Sequence, residues 1–212
     1  MIDSSFASQI VQTHCTAFDG KKCVASGGLK EVALSAKQVL DQNASAAVLI
    51  FDDLTSEVIE VDFRGTSEEV LKRLVGTEPA KLCPTVPEAV PRGPGRPRLG
   101  VVAREVTLLP RHWDWLGTQP GGASVALRKL VEAARKANAA QDRKRQAREA
   151  AYRFMSAMAG NETGFEEAAR ALFAGDQSAF NERVAEWPVD VREYAKRLAA
   201  GSWPTQESVE PV

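Results

Sequence analysis

The side chains best suited to chemistry are few, and their spacing argues against a catalytic centre. Asp52-Asp53 follows the apolar run 47–51, where a strand-end aspartate could hold Mg²⁺ or accept a phosphoryl group. That chemistry calls for Asp-x-Asp, and the second position here is Leu54. The segment after the pair reads as a returning strand, whereas a parallel sheet would require a crossover helix. Asp52-Asp53 therefore reads as part of a hairpin turn. Only two histidines occur, His14 and His112. His14, Cys15 and Cys23 could approach one another across a hairpin, but three ligands without a fourth do not make a structural zinc site. Gly27-Gly28 lacks the Lys-Ser/Thr pair that a phosphate-cradling loop needs. The expectation is a non-enzyme with no metal and no cofactor.

The charge is more informative. Residues 92–153 carry 14 Lys/Arg against 5 Asp/Glu, while the rest of the chain holds 13 against 23, under a net charge of only −1. A basic middle between acidic flanks predicts a polyanionic partner, or else internal pairing between the oppositely charged parts. Cys15, Cys23 and Cys83 are odd in number and without metal-like spacing, which fits reduced thiols in a cytoplasm. No apolar run reaches the roughly 20 residues of a membrane span, and the first dozen residues lack the pattern of a secretory signal.

These residues are positioned by an expected α+β fold: a small N-terminal ββαββ unit, a Pro-rich arm, then a strand followed by a mostly helical C-terminal part. Strands at 13–18 and 21–26 flank Asp19-Gly20, a two-residue hairpin signal. Residues 29–40 have helical apolar spacing, and 46–51 and 57–63 read as strands around a second turn. Thr66 with Glu69 forms a capping box opening a helix through Leu74. The first unit thus covers 1–75. Six of the 11 prolines fall within 76–100, which reads as an extended linker or arm. A strand at 101–109 precedes expected helices at 111–118, 124–138, 142–159, 164–174, 177–186 and 188–200. Thr163 with Glu166 reads as a second capping box, and Asp176 as a cap for the helix after it. The segment 101–140 is set apart from a helical region, 141–200, and a loose tail, 201–212.

Residues 104–131 carry the functional lead: R-E-V-T-L-L-P, then R-H-W-D-W-L, then P-G-G-A-S-V-A-L-R-K-L-V. A strand ends in Pro110, a short helix presents Trp113 and Leu116, Gly121-Gly122 turns the chain, and Ser124 caps a second helix. This plan resembles the ribbon-helix-helix transcriptional regulators over about 30 residues. The resemblance implies a homodimer in which two strands pair as a ribbon and enter the major groove of double-stranded DNA. It assigns Arg104, Val106 and Leu108 to the groove side and places the amides near Ser124 against a phosphate. Val106 and Leu108 depart from the family's polar outward face, because neither can hydrogen-bond a base edge. In the reversed phase Glu105 would face phosphate.

Upstream, Arg92-Gly93-Pro94-Gly95-Arg96-Pro97-Arg98 contains a Gly-Arg-Pro-Arg core like that of an AT-hook, suited to the narrow minor groove of A·T-rich DNA. The expected DNA-contacting set is Arg92, Arg96, Arg98, Arg104, Arg111, Ser124 and Arg128. A further basic run, Arg135 to Arg148, offers phosphate contacts without sequence readout. Three stretches, G-R-P-R-L-G leading into T-L-L-P-R-H-W-D-W-L, F-E-E-A-A-R-A-L-F-A-G-D and W-P-V-D-V-R, also resemble a bacterial "domain of unknown function" family over nearly the full chain. That resemblance implies a shared fold and no activity. The leading expectation is a DNA-binding regulator; the other is a protein–protein adaptor in which 101–140 only packs or dimerises.

Overall fold

The computed structural model describes residues 14–43, 45–76 and 104–203. The chain divides into two compact units, one formed by Met1–Pro79 with Ala140–Val212 and the other by Ala80–Ala139.

In the larger unit, β1 (His14–Asp19) and β2 (Lys22–Gly28) form an antiparallel hairpin, and helix α1 (Leu29–Gln42) leads to β3 (Val48–Asp52). β3 pairs antiparallel with β1, giving the order β2-β1-β3. The hairpin loop is Gly20-Lys21, with Gly20 at φ 56°, the conformation glycine supplies at the first central position of a two-residue loop. Alternation along β1 splits its side chains between the sheet faces. Cys15 and Ala17 join Ile50 and α1's Leu29, Val32 and Ala36 in one core. Phe18 and Phe51 join a second core with the C-terminal helices.

The α+β expectation holds, with a three-stranded sheet in place of four strands. The expected strand at 57–63 closes only one bridge, Phe51↔Val58. Its apolar residues Ile59, Val61 and Phe63 pack on the α1-side core, as their spacing of two predicts. Further along, the carbonyls of Asp62 and Arg64 accept from the Arg73 guanidinium instead of a neighbouring strand. Arg73 belongs to α2 (Ser67–Gly76). That helix opens on the expected capping box: the Thr66 amide donates to Glu69 Oε2 at 2.8 Å, and the Glu69 amide to Thr66 Oγ1 at 3.3 Å.

The expected helices 124–138 and 142–159 are one helix, α4 (Gly122–Met158), because Ala139-Ala140-Gln141 contains no breaker. Residues 140–158 of α4 pack in the larger unit with α5 (Phe165–Ala174), α6 (Gln177–Arg183) and α7 (Val189–Ala199), the last followed by a 3₁₀ turn, Ala200–Ser202. Asp176 caps α6 as expected, accepting from the Ala179 amide at 2.9 Å. The expected Thr163–Glu166 box is absent. Gly164, at φ 78°, holds the N-cap position, and the Thr163 carbonyl instead accepts from the buried Trp187 indole at 3.0 Å. Phe154 of α4 sits at the centre of the second core, with Phe18, Phe51 and Tyr194 ring centroids 5.4, 5.2 and 4.5 Å away.

In the smaller unit, α3 (Pro110–Gly117) has Pro110 at its first turn, as expected, and the N-terminal part of α4 follows a Gly121-Gly122 turn with both φ angles positive. The expected strand at 101–109 lies partly outside the described residues. Its described part, 104–109, has no regular structure, and within this one chain no described strand pairs with it.

Among the described residues, no helix is long and apolar enough to cross a membrane.

Candidate functional site

Of the residues expected to meet DNA, Arg92, Arg96 and Arg98 lie outside the described residues. Arg104 and Arg111 are exposed, before and at the start of α3, and Arg128 is exposed on α4. Ser124 is not a cap. α4 already begins at Gly122, so Ser124 lies inside its first turn, with its carbonyl accepting from Arg128 Nε at 3.1 Å. The first amides of any helix still lack intrahelical acceptors, so this end keeps the capacity to meet an anion.

Every residue of α4 from Arg128 to Asn138 is exposed. Arg135 and Lys136 pair with Glu132 one turn away on the same helix. Arg104, Arg111, Arg128 and Lys129 form no ion pair among the described residues.

Beside these charges lies apolar surface. Of the larger apolar side chains, α3 buries Leu116, while Trp113, Trp115, Leu130 and Val131 stay exposed. Leu108, His112, Trp115, Leu116, Leu127 and Leu130 line an apolar cavity of about 300 Å³.

In the larger unit the densest polar arrangement centres on Asp53, the residue that the sequence assigned to a turn. Asp52 makes the turn: its Oδ1 accepts from the Leu54 and Thr55 amides, both at 2.8 Å. Asp53 faces the helices. Its Oδ1 accepts from the Thr16 hydroxyl at 2.7 Å and the Tyr194 hydroxyl at 2.8 Å, and lies 3.6 Å from Arg197 Nη2. Its Oδ2 is 3.3 Å from His14 Nδ1. Arg197 Nη2 also donates to Thr16 Oγ1 at 3.0 Å, and its guanidinium carbon lies 4.5 Å from the Tyr194 ring centre. With the Thr16 proton given to Asp53, the Ser26 hydroxyl, 2.9 Å from Thr16 Oγ1, is the donor of that pair. Strand β1, the turn after β3 and helix α7 are thereby tied through one carboxylate.

Tyr194, Cys15 and Cys23, all near it, are shifted away from reactivity at neutral pH. Burial, then the hydrogen bond to Asp53 and its charge, pushes the Tyr194 phenol well above its ordinary value. Burial, then the charges of Asp53 and Asp52, pushes the Cys15 thiol up to about 12. Burial and then Asp190, whose Oδ2 accepts from the Cys23 amide at 2.8 Å, raise Cys23 as well, against the opposing charge of Arg197. Thiolate fraction and access together set alkylation rate. Iodoacetamide at pH 8 should therefore modify exposed Cys23 and spare buried Cys15 until the chain unfolds, which peptide mapping by mass spectrometry will read. Equal labelling of both in the folded protein would contradict this packing. No group of three or more His, Cys, Asp or Glu side chains among the described residues could hold a metal ion.

Neither the curated proteins nor the solved structures include a match to this chain. Residues 14–199 match a family described as an uncharacterised protein conserved in bacteria (DUF2239), a span that takes in both units, and the chain belongs to that family.

Proposed function

We propose that the protein is a cytoplasmic DNA-binding regulator that acts as a homodimer through its smaller unit. The observation that carries this reading is the surface of that unit. Arg104, Arg111, Arg128 and Lys129 are exposed without an acidic partner among the described residues, next to apolar side chains that one copy leaves uncovered.

A helical hairpin that buries little beyond Leu116 and Ala126 is too small to be stable on apolar burial of its own. An isologous partner would cover Trp115 and Leu130 twice over and could pair the two 101–109 segments, leaving the basic side chains outward. Arg96 and Arg98 would then reach an adjacent minor groove. The exposed tryptophans also suit a protein partner, which is the adaptor reading.

Salt separates the two. Each neutralised phosphate contributes about −0.9 to the slope of log affinity against log salt, so four contacts predict a loss on the order of 100-fold between 50 and 200 mM. Fluorescence anisotropy on A·T-rich and G·C-rich duplexes should show that loss, further weakening by Arg128→Glu/Lys129→Glu, and a lost A·T preference in Arg96→Ala/Arg98→Ala. No binding at about 10 μM protein and low salt would overturn DNA binding and favour the adaptor.

A further inference from the structure

The larger unit contains a second cleft, independent of the DNA reading. It opens between the turn after β3, the residues 143–150 of α4 and the end of α7, with a volume of about 400 Å³. Its walls are apolar at Leu54, Ala147, Ala150 and Leu198, and two guanidinium side chains, Arg143 and Arg197, line it with Asp53. That size falls in the roughly 300–1,000 Å³ range of small-molecule sites, which pair an apolar lining with a few polar groups.

The charge balance sets the ligand class. Asp53 is the one carboxylate among the lining residues, and its oxygens already accept from Thr16 and Tyr194 and face His14. Arg197 uses Nη2 toward Thr16 and Asp53, while its Nε and Nη1 have no partner among the described residues. Arg143 is exposed and makes no ion pair among the described residues. Arg145, two residues on, is by contrast paired with Asp142 at 3.0 Å and does not line the cleft. Two cations with donors to spare, over an apolar floor and one satisfied carboxylate, favour an anionic head on an apolar body.

We propose that this cleft binds a small organic anion, a carboxylate or phosphate head carried on a hydrophobic body, with Arg143 and Arg197 holding the head and Leu54, Ala150 and Leu198 covering the body. Arg143 makes no hydrogen bond or ion pair among the described residues and is exposed, so its substitution disturbs the fold less than that of Arg197. Arg197 also ties α7 to β1, and its substitution would mix binding with stability.

The test uses the full chain with benzoate and phenyl phosphate as probes, inorganic phosphate as the head alone and benzyl alcohol as the body alone. Amide shifts in an NMR titration should be saturable for at least one organic anion and centre on Leu54, Ala150 and Leu198. Arg143→Gln should weaken that binding by roughly tenfold or more, the size of one lost charge-assisted hydrogen bond, while Arg145→Gln leaves it unchanged. Inorganic phosphate and benzyl alcohol should each bind at least about tenfold more weakly than the better anion. No saturable shift from either anion up to about 10 mM overturns the proposal, as does equal affinity in Arg143→Gln or a shift pattern away from the cleft.

Discussion

Phe154→Ala is expected to destabilise the larger unit by about 3–5 kcal/mol, the range for removing a fully buried aromatic side chain and leaving a cavity. Phe154 has no exposed surface and is the ring on which the two halves of this core converge: Phe18 and Phe51 from the sheet, Tyr194 from α7. Phe18 also meets Tyr194 directly, at 5.3 Å between centroids, so the remaining rings cannot collapse freely into the space. That rigidity places the cost toward the upper end. Each lost kcal/mol lowers the midpoint of a chain this size by roughly 2–4 °C, which puts the drop in thermal unfolding near 10 °C or more. Phe173→Ala is the control: its ring is 50% exposed, and its loss should cost well under about 1 kcal/mol despite its contact with Tyr152. If urea unfolding gives the two variants equal midpoints, the helices do not pack on the sheet through Phe154.

The elements of this fold were legible wherever a local rule decides the outcome. Asp19-Gly20 marked the hairpin, Thr66 and Glu69 the start of α2, Asp176 the cap of α6, and the spacing of Leu29, Val32 and Ala36 the buried face of α1. The misreadings arose where a distant partner decides. Thr163 pairs with Glu166 on paper, but its carbonyl is taken by Trp187, 24 residues on, so a glycine starts the helix. The strand 57–63 had the right alternation and packs its apolar side chains as expected, yet past the bridge at Val58 the Asp62 carbonyl goes to Arg73 and not to a neighbouring strand. The break expected near residue 140 falls on Ala139-Ala140-Gln141, none of which stops a helix.

The basic surface was visible in composition alone. The Asp53 centre was not, because its members sit at positions 14, 16, 53, 194 and 197 and no motif spans such separations. One local signal did point to it. Strand alternation puts Thr16 on the same face as Phe18, so a hydroxyl had to be buried beside a core ring, and a buried hydroxyl requires a partner. Following that requirement leads to the strand-end acidic pair that antiparallel pairing sets beside β1.

That carboxylate gives the second large effect. Asp53→Ala should cost about 2–4 kcal/mol, because it takes a charged acceptor worth roughly 1.5–3 kcal/mol from each of two hydroxyls on residues nearly closed to water, Thr16 at 1% and Tyr194 at 4% exposure, and Thr16 keeps Ser26 as a partner. The Arg197 contact adds little, since that side chain is half exposed and its charge stays solvated. Asp53→Asn keeps an oxygen where Oδ1 stands and should cost only about 1 kcal/mol, the difference between a charged and a neutral acceptor. Tyr194 supplies an independent readout. Its phenol is held neutral in the fold above its ordinary value, so the stabilisation linked to it is full below about pH 10, where the unfolded phenol titrates, and declines as pH rises toward the folded value. In Asp53→Ala the hydrogen bond and the charge are gone while burial, the largest cause, remains against the opposing effects of Thr16 and Arg197, so the folded phenol should titrate closer to its ordinary value and this alkaline decline should flatten in part. Tyr194→Phe should abolish that part of the decline at a neutral-pH cost near the low end of about 1.5–3 kcal/mol, the bond to the charged acceptor, because Phe fills the same space beside Phe154. Urea midpoints at pH 7 and across pH 9–11 for the four proteins test the arrangement. An Asp53→Ala variant as stable as wild type, or one with an unchanged alkaline profile, would mean that the Asp53 carboxylate does not hold α7 to the sheet.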